Sequence, residues 1–143
     1  MHGEMMKVAE GLTDSTAFID KYLPPQLTRF TAEGLYRDPN LPVAYDLAGR
    51  KQLSGLLDAG YDGPHAEFLH KMLHRGALTM LFMQSTTGTT SCGGRSNQWI
   101  WNELTFALLC EKKLYIIKEW EFRSWRDALK GQLVWLCNRF RNG

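Results

Sequence analysis

The chain has 143 residues, 44% of them apolar and 12% aromatic, which suits one domain with a buried core. No run of about 18 uninterrupted apolar residues offers a membrane span, and three cysteines without a CxxC pair argue against a disulfide framework or a structural zinc site. The net charge of +2 hides an asymmetry: residues 1–70 carry 6 basic and 10 acidic side chains, whereas residues 71–143 carry 11 basic and 5 acidic.

The start, Met1-His2-Gly3-Glu4-Met5-Met6, lacks the basic region and apolar core of a secretory signal, so a cytoplasmic chain is expected. Thr13-Asp14-Ser15 offers helix caps before Phe18, Ile19, Tyr22 and Leu23. Pro24-Pro25 then breaks that pattern and opens a second short helix at Gln26. Tyr36 to Pro42 holds two prolines and an Asn and reads as an irregular connection.

Val43 to Ala59 predicts a helix with Ala44, Leu47, Ala48, Leu53, Leu56 and Leu57 as apolar positions, closed by Gly60. After the turn Gly60 to Pro64, a further helix is predicted, capped by Asp62 or Gly63 with Pro64 in its first position. Phe68, Leu69, Met72, Leu73, Ala77, Met80 and Leu81 form its core stripe. So tight a connection predicts antiparallel neighbours. Gln84 to Gly94 is a small, polar loop, and residues 114–117 are ambiguous between helix and short strand. Trp125, Leu129, Leu133, Leu136 and Phe140 recur at helical spacing in the last element. The reading is about five helices in a single all-α domain spanning 1–143.

The densest chemistry lies in Gly93 to Glu103. A helix over 95–111 places Arg95, Gln98, Asn102 and Thr105 in one stripe, with Trp99, Trp101, Leu104, Phe106, Leu108 and Leu109 covering most of the rest. That pattern predicts a buried helix with a polar seam. Unpartnered amides and guanidinium groups cost roughly 1 to 3 kcal/mol each to desolvate, so they meet one another, another chain segment, water or a ligand. One reading is a structural network at a helix crossing. The other is a binding site, because the glycine-rich loop before the helix admits a ligand close to the backbone and to the free N–H groups of the helix start.

Other constellations are weaker. Gly88 to Ser96 resembles a phosphate-binding loop, yet Gly94 stands where the lysine belongs. Glu67, His70 and His74 share one helical face opposite the apolar stripe; they read as a solvated face, so no metal is expected. Cys92 becomes a nucleophile only if a histidine approaches it. The basic charges do not cluster in a recognisable motif, so no nucleic-acid partner is expected.

A resemblance joins several of these segments. Tyr36-Arg37-Asp38-Pro39-Asn40, Ala44-Tyr45-Asp46-Leu47, Gly60-Tyr61-Asp62-Gly63, Arg75-Gly76-Ala77-Leu78, and Gly93-Gly94-Arg95-Ser96 with Trp101-Asn102-Glu103 together resemble a segment of carbohydrate-active (α/α)-toroid proteins, similar to heparinase-type polysaccharide lyases and glycuronyl hydrolases. It covers roughly residues 30–105 and is a likeness of motif style. It implies antiparallel helical hairpins forming part of a toroid, completed by more chain or by another chain, and an acidic oligo- or polysaccharide in a groove rimmed by Tyr36–Asp46 and Gly88–Glu103.

Under that implication, elimination from a uronic acid needs its carboxylate neutralised and a base. Arg95, Asn97, Gln98 and Asn102 are the neutralising candidates, with Tyr45 or Tyr36 as the base. Glycoside hydrolysis instead needs two flanking carboxyl groups, Glu103 with Asp46 or Asp38. Tyr36, Arg37 and Asp38 complete the expected substrate-binding set. Neither scheme requires a cofactor, and none is expected. The alternative is a noncatalytic helical interaction or scaffold module.

Overall fold

The computed structural model describes residues 1–38, 43–84 and 100–114, with side chains described except at 43, 44, 100 and 111–114. Six helices form among the described residues: α1 (His2–Ala9), α2 (Ala17–Tyr22), α3 (Pro24–Leu27), α4 (Val43–Asp58), α5 (Ala66–Phe82) and α6 (Ile100–Leu114). Among the described residues strand pairing is limited to one isolated antiparallel bridge, Phe30 to Tyr36. The described part of the chain is therefore all-α, and no helix in it is long and apolar enough to cross a membrane.

Helix α1 was not expected from the sequence. Met5 is its buried residue, and Met1 and Val8 pack beside it against the core. Residues 1, 5 and 8 do follow helical spacing, but Gly3 and His2 interrupt the pattern. In α2, Ile19 and Leu23 are fully buried one turn apart, while Phe18 and Tyr22 remain on the outside and contact each other at 4.6 Å between ring centres. Thr16 precedes this helix without capping it; its hydroxyl donates to Asp20 at 2.8 Å. Helix α3 starts at Pro24, two residues earlier than expected, because prolines at the first two positions remove only N–H groups that have no partner within the helix.

Residues 30–36 form a turn clamped onto α5. Arg75 Nη1 donates to the Ala32 carbonyl at 2.8 Å and the Thr79 hydroxyl to the Glu33 carbonyl at 2.7 Å. Between those anchors Gly34, at φ +83°, meets Gly76 of α5 backbone to backbone. A Cβ on Gly76 would lie 2.2 Å from the Gly34 carbonyl oxygen, so neither position has room for a side chain.

Helix α4 ends as expected, with Gly60 at φ +97° and the N–H groups of Gly60 and Tyr61 returning to Leu57 and Leu56. Helix α5 starts later than expected, at Ala66 with His65 before it, because residues 63–65 are spent in a turn closed by Ala66 N–H to the Gly63 carbonyl. Of its expected stripe, Leu69, Met72, Leu73, Ala77, Met80 and Leu81 are buried, whereas Phe68 is exposed and lies edge-on to Phe30.

Two apolar clusters organise the core. One gathers Ile19, Leu23, Leu53, Leu56, Leu69 and Leu73; the other gathers Leu47, Ala77, Met80, Phe106, Leu109 and Cys110. Helix α6 packs against both α4 and α5. It is not buried all round as its sequence suggested. Asn102, Glu103, Thr105, Phe106, Leu109 and Cys110 face inward, and Trp101, Leu104 and Leu108 are exposed. The polar residues follow the packed face, and the large apolar residues at 101, 104 and 108 form a separate outer stripe at three- and four-residue spacing.

Gly76→Ala is expected to destabilise the chain by roughly 1 to 3 kcal/mol or more, since the added methyl forces backbone apart. Urea unfolding followed by circular dichroism measures this, and a midpoint equal to that of the parent chain would contradict the close contact.

Candidate functional site

Helix α4 carries Asp46, Arg50 and Ser54 at four-residue intervals, and all three are buried. Helix α6, packed against it, buries Asn102, Glu103 and Thr105. Two packed helices thus each contribute buried polar side chains, a polar layer within the core.

Asp46 and Arg50 form its centre. Arg50 Nε donates to Oδ1 and Oδ2 of Asp46 at 3.0 and 2.9 Å, and Nη2 donates to Oδ2 at 2.5 Å. The backbone N–H of Tyr36 donates to Oδ1 as well, which ties the 30–36 turn to α4. Arg50 has no exposed surface, and its Nη1 has no hydrogen-bond partner among the described residues. That nitrogen lies beside the glycine contact, 2.8 Å from where a Gly76 Cβ would stand. Burial pushes the Asp46 carboxyl upward in pKa; the Arg50 charge and hydrogen bonds and the Tyr36 N–H oppose this without cancelling it.

The other expected site residues are distributed around this pair. Tyr36 is half-buried, donates its phenol to Gln26 Oε1 at 2.5 Å, and presses its ring on Gly49. Burial raises its pKa, which opposes use of this phenol as a base near neutral pH. Tyr45 is half-buried in the first turn of α4, next to Asp46. Arg37 is exposed and uses its N–H on the Arg29 carbonyl; Asp38 is half-buried and engaged. Asn102 and Glu103 occupy the first turn of α6, buried and engaged. Arg95, Asn97 and Gln98 lie outside the described residues, as do Cys92, the Gly88–Ser96 loop and the 125–140 apolar stripe.

Arg50 escaped the sequence reading although it is the largest fully buried side chain. The available signal was the spacing of Asp46, Arg50 and Ser54, which places an acid, a base and a hydroxyl on one face of a helix. On α5, Glu67 and His70 are exposed, His74 is half-buried and engaged, and among the described residues no three His, Cys, Asp or Glu side chains gather as a metal set.

A second feature opens where α1, α4 and α6 meet: a cleft of about 270 Å3. The His2 ring covers Gly55, where a Cβ would lie 2.6 Å from it. At one edge the Lys51 ammonium sits 4.1 Å over the centre of the Trp101 ring.

No family model matches the chain, and neither a curated protein nor a solved structure matches it.

Cys110 is fully buried below the polar layer, and burial pushes its thiol from the ordinary 9.0 up to about 12, with the Arg50 charge opposing the shift. A folded-state pKa above the unfolded one contributes stability that is present below the unfolded value and lost as pH rises through the folded value. The unfolding midpoint is therefore expected to fall between pH 9 and about 12, and to fall less in Cys110→Ala. Denaturant titrations at a series of alkaline pH values test this; parallel curves for the two proteins would contradict it.

Proposed function

We propose that the chain is a carbohydrate-binding or carbohydrate-processing helical domain for an acidic oligo- or polysaccharide, built as part of an (α/α) toroid. The observation that carries the proposal is the placement of Asp46, Asn102 and Glu103: buried polar groups in the first turns of two helices packed against each other. The segments leading into those first turns hold the remaining candidates, Tyr36, Arg37 and Asp38 before α4 and Arg95, Asn97 and Gln98 before α6. Segments that lead into helix ends beside polar groups are common positions for binding residues.

Helix directions support the hairpin arrangement. Leu47 near the start of α4 shares a cluster with Met80 and Leu81 near the end of α5, and Leu56 and Leu57 near the end of α4 share one with Leu69 near the start of α5. Two helices in that relation run antiparallel, as toroid hairpins do. Lys51 against Trp101, and Gly55 and Ala59 beside Thr105 and Leu108, place rising positions of α4 alongside rising positions of α6. The two first turns then open on the same end of the bundle.

In this reading Asp46 holds Arg50 and the Tyr36 turn in place, and the acid–base work falls to Glu103 and Tyr45. Arg95, Asn97, Gln98 and Asn102 neutralise the sugar carboxylate. The chemistry is elimination if a phenol removes the proton beside that carboxylate, and hydrolysis if Glu103 works with a second carboxyl group.

A second reading is favoured by a different observation. The exposed stripe Trp101, Leu104 and Leu108 on α6, with Phe82 and Met83 also exposed, suits a noncatalytic interaction module or docking of another chain that completes a toroid.

Titration with a panel of acidic oligosaccharides, with unsaturated product followed by ultraviolet absorbance, separates the two. The proposal expects saturable binding that Arg95→Ala and Asn102→Ala abolish while circular dichroism stays that of the parent. A folded chain that binds no acidic sugar, together with self-association in light scattering, favours the interaction module instead.

A further inference from the structure

We infer that the cleft between α1, α4 and α6 is a binding site for a small monocarboxylate with an apolar body, seated with its carboxylate between Lys51 and Thr105. The site takes Ser54 and Thr105 from the polar layer but none of the residues named for the sugar reading, on which it does not depend.

The cleft is small and partly open. About 270 Å3 approaches the lower end of the range for small-molecule sites, which runs from roughly 300 Å3 upward. Met6, Ala59, Leu108 and Leu109 make much of the wall apolar, and three different helices supply it.

The polar groups are few and point to an anion. Thr105 is buried and lines the cleft, yet its hydroxyl makes no side-chain hydrogen bond among the described residues. A hydroxyl in the wall of a cleft can donate to a ligand oxygen placed there. On α4, the Ser54 hydroxyl reaches only Asp58, at 3.5 Å, which is long for a hydrogen bond and leaves it able to turn toward a ligand. Lys51 has no carboxylate partner among the described residues; its ammonium rests on the face of Trp101. A cation held on an aromatic ring, with two hydroxyls in the wall of the same cleft, is complementary to a carboxylate.

The remaining charge in the wall, Asp58, lies seven residues from Lys51 and thus about 10 Å farther along α4. It is exposed and accepts from Ser54 at 3.5 Å, so its charge keeps the ligand carboxylate toward Lys51 and Thr105. The apolar body of the ligand lies between these ends, along Met6 and Leu108. A straight or aromatic acid of roughly six to ten carbons fits that length.

The test uses octanoate as the probe, with octanol and octylamine at equal chain length, titrated into the full chain by calorimetry. Octanoate is expected to bind saturably, and octylamine not at all. Lys51→Met keeps the aliphatic stem and removes the charge; it is expected to weaken octanoate by about tenfold or more and leave octanol unchanged. Ala59→Phe fills the cleft and is expected to abolish binding of octanoate and octanol, with circular dichroism confirming the fold. The inference is overturned if the folded chain shows no saturable octanoate binding, if binding survives both substitutions, or if octylamine binds as well as octanoate. It is equally overturned if the cleft proves to be a contact between copies, shown by a dimer that Ala59→Phe dissolves in the absence of octanoate binding.

Discussion

A buried ion pair governs this structure. Arg50 has no solvent contact, and its guanidinium lies against a three-donor grip on Asp46 that includes the backbone of Tyr36. Removing two charges from water costs several kcal/mol each, which only close geometry and further hydrogen bonds offset. Here the geometry comes from glycine. Gly34 and Gly76 bring the 30–36 turn down onto α5, Gly49 admits the Tyr36 ring against α4, and the guanidinium fills the space beside the first of these contacts. Charge pairing and backbone approach are thus one arrangement. Each would be strained or unpaired without the other.

That arrangement explains which parts of the fold were legible beforehand. The end of α4 at Gly60, the proline start of α3 and the buried Leu stripe of α5 rest on local chemistry, which depends only on neighbouring residues. The direction in which α6 faces does not. Its sequence offers two faces, one with Asn102, Glu103 and Thr105 beside Phe106, Leu109 and Cys110 and one with Trp101, Leu104 and Leu108, and hydrophobicity alone does not choose between them. Which face meets α4 and α5 is set by their packing, and that is tertiary information. Helix α1 was hidden for a related reason, because Met5 gains its burial from α4 and the neighbouring core.

The candidate site divides along the same line. Asp46, Asn102 and Glu103 are chemically conspicuous in the sequence and are buried in the structure, while Arg50, which decides how Asp46 behaves, sits among ordinary helix residues. A carboxylate so held is a positioning element more than a free acid or base, and it fixes where the Tyr36 segment runs. The polar layer and the cleft at α1 are both consequences of how α4 is used. One face of it carries the ion pair, and a neighbouring face carries Lys51 and Gly55 toward α1 and α6.

A double-mutant cycle on Asp46 and Arg50 tests this account most directly. Asp46→Leu and Arg50→Met each leave an unpaired buried charge, and each is predicted to destabilise the chain by roughly 3 to 5 kcal/mol in urea unfolding; the double substitution is predicted to lose much less than the two losses added together. Two small losses that simply add would show that the pair is not the constraint on which the turn, the glycine contact and the polar layer depend.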